Sequence, residues 1–89
     1  MKLISAAIKC RPTDSNYDMV FTAKRHSDIF AFFADHHIYV DRNSAVQGFM
    51  TDTNQFVDRY EAKQIAVEAQ QLIVPESETY AELFSEDVW

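Results

Sequence analysis

Eighty-nine residues carry a net charge of −6, and 47% of them are hydrophobic, with seven Phe, four Tyr and one Trp. A chain this short makes one domain, residues 1–89, and buries about 60–65% of the surface its unfolded form exposes, so its core is marginal. The acidic balance excludes general nucleic-acid binding through phosphate, which needs a basic footprint. No segment approaches the roughly 20 apolar residues needed to cross a membrane.

The aromatic content exceeds what so small a core needs, and the surplus is expected in a homo-oligomer interface or a partner site. Acidity by itself usually means solubility; imitation of DNA, or competition for a basic patch on a host enzyme, ranks below that. The single cysteine, Cys10, permits no intrachain disulfide and fits a reducing, intracellular setting. Lys2 precedes Leu-Ile-Ser-Ala-Ala-Ile, and Lys9 ends that run too soon for a signal-peptide core.

Leu3 to Cys10 reads as a strand buried on both sides, with Ile4, Ala6 and Ile8 on one face and Leu3 and Ala7 on the other. Arg11 to Asn16 is a loop by composition, and Tyr17 to Thr22 returns as the second strand of a hairpin. Ser27 is the expected N-cap of a helix that runs to about His36, with Asp28 in its first turn and Ile29, Phe32 and Phe33 at helical spacing. Ile38-Tyr39-Val40 fits a short strand, and Asp41 to Ser44 a loop.

Gln47 to Leu72 is the stretch around which the chain is organised. Gln47 to Met50 and Gln55 to Val57 read as two short strands joined at Thr51-Asp52-Thr53-Asn54. A three-residue hairpin loop with Asn54 left-handed would join them, and Asp52 can hydrogen-bond the backbone two residues on. Gly48, the one glycine of the chain, marks a bulge or a close backbone approach. Asp58 and Glu61 form a capping-box pattern at the start of a helix, with Val57 and Ala62 in the staple positions. Ala62, Ile65, Ala66, Ala69, Leu72 and Ile73 fall on one side of a 3.6-residue period, and Lys63, Gln64, Glu68, Gln70 and Gln71 on the wet side. Val74 to Thr79 is a proline-marked connection. Tyr80 to Phe84 fits a helical turn or short strand, and Leu83, Phe84 and Trp89 are expected to pack on the domain or on a neighbouring subunit.

The chemistry-bearing residues are sparse. His36 and His37 are adjacent, so on a helix their side chains point about 100° apart and cannot grip one ion together. Cys10 suits a small core residue better than a nucleophile. No Cys-x-x-Cys, His-Glu-x-x-His, phosphate loop or nucleophile elbow is present, so the chain is read as a non-enzyme with no catalytic, metal or cofactor site. Lys24-Arg25-His26 is the one local basic cluster, beside a helix start. Arg59 stands beside the other. Together they suit an anion, although salt bridging to the fourteen acidic residues is the commoner fate of such groups.

Five stretches in order carry a resemblance: Ser5-Ala6-Ala7-Ile8, Arg25-His26-x-Asp28-Ile29, Gln47-Gly48-Phe49, Phe56-Val57-Asp58-Arg59-x-Glu61-Ala62, and Phe84-Ser85-Glu86-Asp87-Val88-Trp89. The chain resembles a family of small phage and prophage proteins that read as a strand pair, then "RHxDI", "QGF", "FVDRxEA" and a terminal "SEDLW". It departs from that pattern at Asn54-Gln55, where the family often has a glycine, and at Ala69-Gln70, where it often has Gly-Gln. The family is similar to phage anti-defence proteins, including the Thoeris anti-defence sponges. The resemblance implies a host-cytoplasmic homo-oligomer that sequesters a nucleotide-derived signal, of the cyclic ADP-ribose or cyclic-nucleotide type, without cleaving it. The alternative is an acidic protein that inhibits a host protein. The expected ligand-binding set is Arg25, His26 and Arg59 for phosphate, Phe49 or Tyr60 for stacking on a base, and Asn54. The expected fold is α+β, a small antiparallel sheet packed with two helices.

Overall fold

The computed structural model describes residues 1–89. Its elements are β1 (Leu3–Cys10), β2 (Met19–Ala23), α1 (His26–Asp35), β3 (Val46–Thr51), β4 (Phe56–Asp58) and α2 (Arg59–Glu68). The strands form one antiparallel sheet in the order β2-β1-β3-β4. The fold is therefore the expected α+β domain.

Pairing fixes which side chains share a face, because residues directly opposite each other point the same way. Ala6 lies opposite both Ala23 and Phe49, and Phe49 lies opposite Val57. That row, with Ile8 and Cys10, meets Ile29 and Phe33 of α1 and Ala62 and Ala66 of α2 in one buried cluster, which Leu3, Leu83 and Val88 complete. Both helices thus cover the same face. Large apolar side chains such as Ile8 and Phe49 each contribute roughly 1.5–3 kcal/mol by leaving water. Lys9, Val20, Thr22, Val46, Gly48, Met50 and Phe56 share the opposite face. Ala7 is fully buried there, so β1 is covered on both sides at its centre.

The alternation in β1 slips at Ile4. Leu3 pairs with Thr51 and Ser5 with Met50, so Ile4 is a bulged residue without a partner. Leu3 turns into the core, and Ile4 is 56% exposed rather than grouped with Ile8. Gln71 secures the bulged end: its side-chain oxygen accepts from Leu3 N–H and its side-chain N–H donates to Leu3 C=O, both at 2.8 Å. The helical pattern had put Gln71 in water.

Both helices end in a Schellman motif. His37 N–H donates to Ala34 C=O and Ile38 N–H to Phe33 C=O after α1; Gln70 N–H donates to Val67 C=O and Gln71 N–H to Ala66 C=O after α2. Such a stop needs a left-handed residue, supplied by His37 at φ 53° and Gln70 at φ 57°. This stop leaves Leu72 and Ile73 outside the helix expected to include them. Asn54 is left-handed as expected, at φ 63°, in a three-residue loop closed by Thr51 N–H donating to Gln55 C=O at 2.9 Å. Asp52 differs from expectation, since its carboxylate accepts from Lys2 N–H, just ahead of the neighbouring strand β1. Ile38 to Val40 makes a single bridge, Val40 with Pro12, instead of a strand. Tyr80 to Phe84 is neither helix nor strand.

Candidate functional site

Four of the five stretches meet at the starts of the two helices, and the fifth, Phe84 to Trp89, lies over them. α1 begins at His26, with Arg25 rather than Ser27 in the cap position. A guanidinium only donates, so Arg25 cannot cap through its side chain. The Asp28 carboxylate instead accepts from Arg25 N–H at 3.3 Å. The free donor at His26 N–H finds the Ser85 hydroxyl at 3.4 Å.

The His26 side chain points inward. Its Nε2 lies 2.7 Å from Gly48 C=O, which makes that nitrogen the donor, and its ring stands edge-on to Phe49 at 5.1 Å. Burial holds its imidazole below the ordinary value, while the Gly48 carbonyl pulls the other way and Arg59 adds a smaller repulsion. Phe49 is fully buried and touches Trp89 on another edge, at 6.0 Å. Trp89 donates its indole N–H to Lys24 C=O.

Gly48 is a tight point of the sheet. A Cβ there would stand 2.0 Å from Val57 C=O and 2.7 Å from the Phe56 ring. Close backbone approach, not a bulge, is what requires glycine.

α2 starts at Arg59, with the Asp58 carboxylate accepting from Glu61 N–H at 2.8 Å. The Arg59 guanidinium lies 5.1 Å above the Phe84 ring and 3.3 Å from Glu82. The other oxygen of Glu82 accepts from the Tyr60 hydroxyl at 2.7 Å. That hydrogen bond, with the charge of Glu82, pushes the Tyr60 phenol up. Arg59 C=O accepts from Leu83 N–H, which ties the C-terminal segment to the helix start.

Of the six expected ligand residues, five gather here. His26 and Phe49 are in the core and present no open face to a ligand. Arg59 and Tyr60 reach the surface side by side, both held by Glu82. Arg25, half-buried, stands next to His26. The chain's two ion pairs are Arg59–Glu82 and Arg11–Asp18, and Lys24 and Arg25 enter neither. Asn54 lies apart, in the hairpin loop at the far end of β4 from Arg59. The sequence reading missed Glu82 and Ser85, whose partners lie 22 and 59 residues away. The acidic "SED" stretch itself was visible, but not that it would fold back on the two basic corners.

Other candidates fall to plain structural roles. Cys10 is buried, and burial together with Asp18 pushes its thiol up, away from the reactive thiolate. His36 and His37 sit at the helix end, His37 as the left-handed residue. No group of three or more His, Cys, Asp or Glu is arranged to hold a metal. No helix is long and apolar enough to cross a membrane. A groove of about 580 Å³ lies elsewhere, lined by Phe30, Phe33, Tyr39 and Arg42 among others.

No curated protein and no solved structure matches the chain. A family model described as Phage T4 y16D protein matches residues 2–89. With all but the first residue matched, the resemblance to small phage proteins stands, and the chain belongs to the Phage T4 y16D protein family.

Proposed function

We propose that this phage protein is a non-enzymatic binder that sequesters a nucleotide-derived signal, of the cyclic ADP-ribose or cyclic-nucleotide type, at the corner where α1 and α2 begin. The observation that carries the reading is Arg25. In a chain of net charge −6 it is a cation outside every ion pair, and it sits beside a helix start. An arginine fork can bond two phosphate oxygens at once. Arg59 is already oriented by Phe84 and Glu82, so it loses little freedom on meeting a second anion, and Tyr60 beside it offers a ring to a base.

Calorimetry with a panel of cyclic nucleotides and cyclic ADP-ribose isomers tests the reading. Arg25→Ala and Arg59→Ala are each expected to weaken binding by roughly 1.5–3 kcal/mol, as for charge-assisted hydrogen bonds. The bound signal should return intact when the protein is denatured; a chemically altered signal would make the protein an enzyme. Failure of every panel member at millimolar concentration removes the sponge. A second reading then takes over: an acidic phage protein that inhibits a host protein. The groove favours it, because Phe30 and Tyr39 on its rim are 49% and 69% exposed and aromatic side chains are enriched at protein interfaces.

A further inference from the structure

β2 is an outer strand with β1 on one side and nothing on the other. Its sequence, Met19-Val20-Phe21-Thr22-Ala23, holds no charge, proline or glycine, and its pairing with β1 runs without a register shift. Sheet edges are normally blunted by charges, prolines, bulges or very short strands, since their outward N–H and C=O groups invite another chain. The opposite edge obeys this rule, because β4 is three residues long and runs directly into α2. β2 uses none of these devices, and Met19 and Val20 are 45% and 42% exposed.

The residues flanking β2 say what fits there. Asp18 and Lys24 stand equally far from Phe21, one on each side. If two copies of β2 pair antiparallel about a two-fold axis at Phe21, Asp18 of each copy lies opposite Lys24 of the other. Val20 then lies opposite Thr22. A slide by two residues in either direction destroys both ion pairs. Asp18 is available, since its contact with Arg11 leaves its side chain 45% exposed, and Lys24 is exposed and outside every ion pair. On the helix side the apolar surface continues past the edge: Phe21 packs on Phe33 at 4.9 Å and on Phe32 at 6.4 Å, and Phe32 is 40% exposed.

We propose that β2 is the dimerisation edge of this protein, joining two copies antiparallel about Phe21 into one continuous sheet, with the register set by reciprocal Asp18–Lys24 pairs. The surface adjoins the corner assigned to ligand at Lys24, but its readout is oligomeric state without any ligand, so the proposal stands or falls independently of the signal-binding reading.

Light scattering and sedimentation of the full chain test it. The parent is expected at twice the 10.3 kDa chain mass. Asp18→Lys and Lys24→Asp each turn two attractive cross-strand pairs into two repulsive ones. At low salt each is expected to raise the dimer dissociation constant on the order of tenfold to a hundredfold, and the double variant to restore it. Both side chains are exposed, so circular dichroism should show all variants folded. Equal mixtures of Val20→Cys and Thr22→Cys copies should form mixed disulfides in preference to Val20→Cys pairs. A parent that stays monomeric to millimolar concentration overturns the proposal. So does a dimer indifferent to both single reversals, or one that the double variant fails to rescue.

Discussion

Gly48→Ala should be among the most damaging single-methyl additions in this protein. The new Cβ would stand 2.0 Å from a backbone oxygen, that of Val57, and 2.7 Å from the Phe56 ring. The ring can swing away, but the carbonyl moves only if β4 shifts against β3. That shift pulls on Val57, which is in the core, and on Gly48 C=O, which accepts from His26. Overpacking typically costs 1–3 kcal/mol, and loss of a buried hydrogen bond adds about 1 kcal/mol. A loss of about 2–4 kcal/mol is therefore expected, against a total stability of roughly 4–13 kcal/mol for a chain of this length. Urea denaturation followed by tryptophan fluorescence measures it, since Trp89 lies against Phe49. Adding Phe56→Ala to Gly48→Ala relieves the ring contact alone and should recover little. A loss below about 1 kcal/mol in the single variant, or near-complete recovery in the double, would refute the reasoning from the Val57 carbonyl.

Three further outcomes are expected. Asp58→Ala should cost about 1 kcal/mol by freeing Glu61 N–H, and an unchanged denaturation midpoint would remove Asp58 from the cap. Gln70→Gly should stabilise by about 0.5–1 kcal/mol, because a left-handed residue other than glycine is strained; a lower melting temperature would show that the Gln70 side chain makes a contact worth more than the strain. His26 is held below its ordinary 6.5 by burial. As pH falls through that value the unfolded chain takes up a proton that the folded one resists, so stability present above about 6.5 is lost on acidification. Denaturation midpoints at about pH 7.5 and 5.5 should converge in His26→Gln relative to the parent, and an identical pH dependence in the two proteins would exclude His26 as a source of it.

What was legible in the sequence was local. The Asp58 cap, the three-residue loop at Asn54 and the core role of Cys10 each follow from residues within one turn or one strand. What was not legible depended on distant partners or on the missing glycines. Ile4 left the core because a bulge in β1 changed the alternation, and nothing in Leu3 to Cys10 announces a bulge. α2 stopped short of Leu72 because Gln70 takes a left-handed conformation that usually calls for glycine. Asn54 and His37 likewise hold left-handed φ angles, 63° and 53°, without glycine. His26 and Phe49 carried the right chemistry for a ligand, but their burial depends on Ser85 and Trp89, some sixty and forty residues on.

The placing of Leu83 and Val88 in the core, with Trp89 packed against it, bears on the order in which the molecule can form. Its contacts join opposite ends of the chain: Gln71 to Leu3, Ser85 to His26, Trp89 to Lys24. Contacts so remote in sequence are slow to form, because a long loop must close before any of them holds. The sheet and both helices can form while the space beside Phe49 is still open, and Phe49 stays wetted until Leu83 to Trp89 close over it. That closure comes late, and the apolar edge of β2 is available throughout the wait. A partner copy that reached that edge early would shield it before the core had closed.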